Sequence, residues 1–191
     1  MSSVPDPPIF QRCDQTAPFP YRTSEYLRRA IWEIVQAMLF RFSPRRLPAW
    51  RRMLLRCFGA KISATANIRP TVKVFHPWLL SIGEWTALGD DVIVYNLGPV
   101  EIGAHSVVSH GAYLCAGTHD YTQPNLPLQR PLIKVGSGVW ICAQAFIGPG
   151  VAIGNNSVVG ARSVVMKDVP DAVVVAGNPA RVIKAREMKP I

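Results

Sequence analysis

The sequence predicts an all-β core, a left-handed parallel β-helix of hexapeptide repeats, with an N-terminal α-helical segment and a short C-terminal tail. Three observations predict it. From Val135 to Val165 an aliphatic residue falls at every sixth position: Val135, Ile141, Ile147, Ile153, Val159 and Val165. Four of these are followed by glycine (Gly136, Gly148, Gly154, Gly160), and the residue two before each next aliphatic is small or β-branched: Val139, Ala145, Val151, Ser157 and Ser163. The same pattern recurs upstream in weaker form at Ile62, Ile68 and Val74, at Ile82, Leu88 and Val94, and at Ile102, Val108 and Leu114.

In a strand, residues two apart share a face. The small residue and the following aliphatic therefore point into one core, and the glycine is expected to make a corner through positive φ. Three six-residue units make one triangular coil. Coils stack about 4.8 Å apart, so each side of the prism becomes a short parallel sheet. The prism is expected from about residue 62 to about residue 170. Aliphatics alternating with glycines also occur in sandwiches, but a sandwich has no reason to keep an unbroken period of six. Between Leu114 and Val135 the period lapses across a Gly, His, Asp, Asn and Pro-rich stretch. Residues 116–134 are read as a loop thrown out of a coil, and loops of that length in compact domains are usually functional.

Ahead of the prism, residues 1–22 carry several prolines and no periodicity, which suggests an extended arm. Ser24 is the expected cap of a helix whose residues Leu27, Ala30, Ile31, Ile34, Val35, Met38, Leu39 and Phe42 form a broad apolar stripe. A second helix is expected from Ala49 to Phe58, after Pro48 and before Gly59. After Val165 the repeat stops at Lys167-Asp168-Val169-Pro170. Val173 to Val175 read as a last strand, and Ala176 to Ile183 as a turn into a basic tail, Lys184 to Lys189. Two regions follow: 1–61, the arm and helices, and 62–191, the repeat domain with its loop and tail.

The 191 residues, 49% hydrophobic, suit one folded unit. The N-terminus lacks a charged region followed by an apolar run, and the most apolar segment, residues 30–42, contains Glu33, Gln36 and Arg41. Neither a signal peptide nor a spanning helix is expected. Cys13, Cys57, Cys115 and Cys142 have no paired spacing, which suits reduced cytoplasmic thiols rather than a disulfide framework or zinc site. Of the net charge of +9, residues 1–61 supply +7, from 11 basic and 4 acidic side chains. No aromatic-basic interleaving accompanies this charge, so nucleic acid is not the expected partner. Two readings compete for the arginine-flanked helix pair. In one, the stripe packs on the prism or a neighbouring subunit and the arginines are solvated. In the other, residues 24–58 make peripheral contact with an anionic membrane. The helices also suit the cap that the open first coil needs.

Chemistry is sought in the expelled loop, which opens Ala116-Gly117-Thr118-His119-Asp120-Tyr121. A neutral imidazole is well suited to taking a proton near pH 7. The repeats, the His-containing loop, Trp140-Ile141 and the closing Val-Val-Ala-Gly-Asn-Pro-Ala-Arg-Val-Ile segment together resemble the hexapeptide-repeat O-acetyltransferases related to maltose and galactoside acetyltransferases. Trp50-Arg51-Arg52, Phe58-Gly59-Ala60-Lys61-Ile62, His76-Pro77-Trp78, Tyr95-Asn96-Leu97 and His119-Asp120-Tyr121 bring the resemblance closest to colanic acid biosynthesis acetyltransferases.

The resemblance implies transfer of acetyl from acetyl-CoA to a saccharide hydroxyl, without a metal and without a covalent acyl-enzyme, with His119 as general base. It implies Asn96 as an acceptor contact, with an internal turn asparagine as the alternative reading. Asp120 is a candidate to orient His119, and a backbone carbonyl is the alternative. The corner at Cys142-Ala143 is a candidate oxyanion donor. For the coenzyme the resemblance implies Ala143 and Ala161 along the pantetheine arm, and Lys167 and Arg181 near the phosphates, with Arg162 and Lys184 as further cations. The CoA groove lies between prisms, which implies a homotrimer. Two other classes are weighed. A prism-type metal hydratase would need a histidine where Cys115 stands, although His105 and His110 are present. A non-catalytic assembly prism would bind no acetyl-CoA.

Overall fold

The aliphatic series from Ile62 to Val165 is buried throughout, and so are the small residues two positions ahead, from Ala66 to Ser163. The computed structural model describes residues 10–15 and 21–189. Most of the extended arm expected at the N-terminus therefore lies outside the described residues. The buried residues line a parallel β-solenoid of about six turns with three faces. The first face stacks Lys61–Ile62, Leu80–Ile82, Val100–Ile102, Ile133–Val135 and Ala152–Ile153, and Val169 bridges to Ile153 to open the last turn. The second stacks Asn67–Ile68, Ala87–Leu88, Val107–Val108, Trp140–Ile141, Val158–Val159 and Val173–Gly177. The third stacks Lys73–Val74, Ile93–Tyr95, Tyr113–Cys115, Phe146–Ile147 and Val164–Val165.

Where the small core slot holds a hydroxyl, it ties one coil to the next. Thr86 Oγ1 donates to the Gly103 carbonyl and accepts from Ser106 N–H, Ser106 Oγ repeats this with Gly136 and Val139, and Ser157 Oγ with Pro170 and Val173. Each replaces a buried orphan polar group by a bond worth about 1 kcal/mol net.

The glycines do a different job from the one expected. Left-handed backbone falls on the third residue after the aliphatic, and there it is held by Trp85, Asp91, His105, Gln144, Asn156 and Arg162 as well as by Gly111, Gly138 and Gly150. The glycine directly after the aliphatic is needed because coils approach closely. A Cβ on Gly83 would lie 2.6 Å from Ala104 N, and one on Gly154 would lie 2.4 Å from Asp171 N.

Two edges of the prism keep the six-residue spacing, and the third does not. From Val74 to Ile82 and from Val94 to Ile102 there are eight residues, and from Leu114 to Val135 twenty-one. All three insertions leave the same edge, and the expelled loop is the longest of them.

The N-terminal helices close the first coil. Helix α1 spans Thr23–Val35, two residues earlier than a cap at Ser24 implies, with the Arg22 N–H donating to the Glu25 carboxylate at 2.9 Å. It continues into a π-turn, Gln36–Phe40, and α2 spans Pro48–Cys57 with proline at its first turn. Trp32 and Phe40 are wholly buried against the coil. Trp32 Nε1 donates to the Val74 carbonyl at 2.7 Å, and Val74 N–H donates to Gln36 Oε1 at 2.7 Å. Arg51 donates to the Ile68 carbonyl, Arg52 to Ala66 and Arg56 to Ile62. Arg51 is buried, Arg52 half-buried and Arg56 exposed, and all three satisfy carbonyls that the first coil has no earlier coil to take up, rather than standing free in solvent. The packed side of α1 is also not the expected stripe: Leu27, Ile31, Ile34, Met38, Leu39 and Phe42 are exposed.

At the other end the segment read as a turn and basic tail is a strand. Ala180–Ala185 pairs antiparallel with Val173–Gly177, extending the second sheet beyond its last parallel strand.

Candidate functional site

The expelled loop is a β-hairpin. Thr118–His119 pairs antiparallel with Leu128–Gln129, and His119 stands opposite Leu128. The tip folds on itself, with Asp120 N–H donating to Pro127 O and Leu126 N–H to Gln123 O. This brings the Leu126 carbonyl 2.6 Å from His119 Nδ1. A carbonyl only accepts, so Nδ1 carries the proton and Nε2 keeps its lone pair. The ring is exposed on the hairpin. Asp120 does not touch it. Its carboxylate accepts from Thr122 Oγ1 and N–H and from Gln123 Nε2, bonds that hold it below the usual carboxylate range, the Thr122 hydroxyl contributing most. Arg12 N–H donates to Pro124 O at 2.8 Å, tying the N-terminal arm to the hairpin tip.

Asn96 lies on the same edge one coil earlier and is wholly buried. Its Oδ1 accepts from Phe75 and His76 N–H, at 3.1 and 2.9 Å, and its Nδ2 donates to the His76 carbonyl. The amide thus braces the corner of the preceding coil. His76 completes the pair, its Nδ1 lying 3.0 Å from the Asn96 carbonyl. Its ring stacks on Trp78 and meets Tyr21 edge-on. Burial, reinforced by Arg29, lowers the His76 pKa to about 4. His76 Nε2 and Tyr21 OH are both buried without a hydrogen-bond partner among the described residues. Sequence reasoning left His76 with the coils, although the eight-residue spacing after Val74 was the signal that it stands on an insertion.

Ala143 and Ala161 stack on the second edge, two residues beyond Ile141 and Val159. The Ala143 carbonyl accepts from Arg162 N–H, whereas its own N–H donates to no group among the described residues. Cys142 N–H is already bonded to Val159 O at 2.9 Å. Of the two corner amides considered as oxyanion donors, Ala143 is the one left available. Lys167 and Arg181 come together at the C-terminal end, where they line a cleft of about 270 Å³ with Asp168 and Val182. Arg162 is turned away to Gln144 Oε1, and Lys184 is exposed on the closing strand. A larger cleft of about 470 Å³, between α1 and the first coils, includes Glu33, Arg41 and Lys73 and none of these residues.

The chain therefore gathers its expected groups in three places: His119 and Asn96 on the third edge, Ala143 and Ala161 on the second, and Lys167 and Arg181 at the C-terminal end. His119 leaves the third edge, while Ala143 and Ala161 lie on the second, so one protomer does not bring base and corner amide together. Burial raises the pKa of the Cys115 and Cys142 thiols, keeping them neutral. His105, His110 and Cys115 fall on the first edge, the second edge and a third-face strand, and no group of three metal-binding side chains converges among the described residues.

Residues 133–167 match the family model for the bacterial transferase hexapeptide, six repeats. Over 90% of this chain and 94% of its own length, WcaF of Escherichia coli K12, named for an acetyltransferase of colanic acid biosynthesis, is 44% identical. A galactoside acetyltransferase solved in complex with coenzyme A superposes with a TM-score of 0.81 at 26% identity, covering 95% of this chain and 92% of that one. A hexapeptide-repeat acetyltransferase from Vibrio cholerae, complexed with acetyl coenzyme A, gives 0.77 at 25% identity, with coverage of 87% and 91%.

Proposed function

Because the chain belongs to the hexapeptide-repeat acetyltransferases, we propose that it transfers acetyl from acetyl-CoA to a saccharide hydroxyl in the synthesis of an exopolysaccharide or cell-surface polysaccharide, with His119 as general base. The observation that carries this reading is the bond from His119 Nδ1 to Leu126 O, which places the lone pair of the neutral ring on Nε2, on an exposed side chain.

The chemistry follows from that tautomer. A sugar hydroxyl is a weak nucleophile until its proton is being withdrawn. Nε2 takes the proton as the oxygen attacks the thioester carbonyl carbon. The resulting oxyanion is met by the Ala143 N–H. Collapse breaks the C–S bond, and the departing thiolate takes the proton from the imidazolium, yielding the acetyl ester and CoA. His119 ends as it began.

The separation of His119 from Ala143 within one protomer supports a homotrimer, in which the hairpin of one subunit reaches the second edge of its neighbour. Ala143 and Ala161 then leave room for the pantetheine arm, and Lys167 and Arg181 meet the phosphates. Asn96, wholly buried with its amide braced on the His76 corner, acts by holding that corner rather than by touching the sugar, and Asp120 acts by closing the hairpin tip. An acetyl-CoA donor and three free cysteines among the described residues suit a cytoplasmic location.

The test is acetyl transfer to a panel of saccharides by the wild type and by His119→Ala. Loss of the base lowers the rate by ~10² to 10⁴ with CoA affinity nearly unchanged. Equal turnover by the two proteins removes His119 from the mechanism.

A further inference from the structure

The outward side of α1 and its π-turn is an unbroken apolar stripe: Leu27, Ile31, Ile34, Met38 and Phe42, spaced three to four residues apart. All are exposed, Phe42 at 80%. The same helix has already met its packing need on its other side through Trp32, Gln36 and Phe40. The stripe therefore belongs to a surface function, since single exposed apolar residues are ordinary whereas an aligned row of five is not.

The charge around the row identifies its partner. Between Arg22 and Phe58 there are nine arginines and two glutamates. Arg51, Arg52 and Arg56 are turned inward on the first coil, but Arg41 and Arg46 are exposed at the Phe42 end of the stripe with no ion-pair partner among the described residues. Glu25 is held by the Arg22 N–H, and Glu33 lies 3.9 Å from Arg29. A second copy of the chain seated face to face would set identical arginines against each other. A surface bearing negative charge has the opposite effect. No described helix is long and apolar enough to cross a membrane, so the geometry is that of a helix lying in an interface.

We propose that this face docks the protein on an anionic lipid bilayer, the apolar row entering the acyl boundary and the arginines meeting lipid phosphates. The helices cover the end of the prism, so the row faces along its axis and away from the flanks where neighbouring prisms would pack. The three rows of a trimer would then lie in one plane and bind together. That gain rests on the trimeric reading above, whereas the docking of a single face does not. With the prism standing on its cap, the His119 hairpin, two coils up, sits roughly 20 Å from the lipid, from one helix diameter plus two coil spacings.

The experiment is co-sedimentation of the full chain with vesicles of phosphatidylcholine, with and without phosphatidylglycerol. Binding is expected on the anionic vesicles at least about tenfold above the neutral ones, to weaken in high salt, and to fall at least about tenfold in Ile34→Glu/Met38→Glu and in Arg41→Glu/Arg46→Glu. Circular dichroism, solution mass and acetyl transfer to a soluble acceptor are expected to stay at wild-type values in both double variants. Equal binding to neutral vesicles, binding to neither, or undiminished binding by both variants overturns the proposal. A change of oligomer mass in the Ile34/Met38 variant also overturns it, because the row would then be a contact between copies. Sedimentation reads no catalysis, so its failure leaves the His119 reading standing, and an active His119→Ala leaves the docking reading standing.

Discussion

His119 and Leu126 are locked to each other across the tip of one hairpin, Nδ1 to carbonyl oxygen at 2.6 Å. Leu126 supplies that oxygen from a left-handed backbone, φ 44°. Leu126→Gly keeps this conformation available and is expected to stay within a few-fold of the wild-type rate. Leu126→Pro fixes φ near −65° and removes the N–H bonded to Gln123 O. It is expected to lower kcat at least about tenfold at unchanged CoA affinity, measured by steady-state kinetics and calorimetry.

Arg51 is wholly buried and donates to four oxygens: Ile68 O, Ser43 Oγ, Pro44 O and Arg45 O. Arg51→Ala leaves these acceptors without a donor and is expected to cost about 3 kcal/mol or more in denaturant unfolding. Arg51→Lys is expected to recover only part of it, because an ammonium does not reproduce the planar fork.

His76 makes stability depend on pH. Its folded pKa of about 4 lies below the ordinary 6.5, so the unfolded chain binds the extra proton first. The contribution is whole above pH 6.5 and is lost as pH falls from there towards 4, a change on the order of 3 kcal/mol. Chemical denaturation across that window checks it, and His76→Gln is expected to flatten the slope even if it lowers stability at pH 7.

The glycine after the aliphatic and the left-handed residue two positions later are expected to respond in opposite ways. Gly83→Ala pushes a Cβ into the backbone of the next coil and is expected to lower stability by more than about 2 kcal/mol. Trp85→Gly relaxes a tryptophan held at φ 55° and largely exposed, and is expected to be neutral or to stabilise by up to about 1 kcal/mol. Thermal melts of the two variants distinguish the roles.

The solenoid was legible because its core slots repeat: each of Ile62 to Val165 in the series is buried as the period requires. The hairpin position and His119 were legible because the period breaks around them. A backbone carbonyl stood among the expected partners of His119, but that it is Leu126 O was not legible, since a carbonyl seven residues on has no side-chain signature. Of the two readings left open for the α1 stripe, packing on the prism fails, because the coil is met by Trp32 and Gln36, whose polar atoms answer the Val74 backbone, and not by the row from Leu27 to Phe42. The arginines of α2 were misread because unpaired carbonyls at the end of a solenoid attract donors as a core attracts aliphatics. The closing strand Ala180–Ala185 was hidden by its lysine and arginine content, which suits an edge strand as well as a tail.

The three insertions that leave one edge of the prism separate the proposed site of His119 from what keeps the molecule folded. Lengthening or exchanging the hairpin between Gly117 and Arg130 leaves the flanking coils in register, since Val100 pairs with Ile133 beyond it. A single surface segment can thus be exchanged with the hydrophobic interior inherited intact.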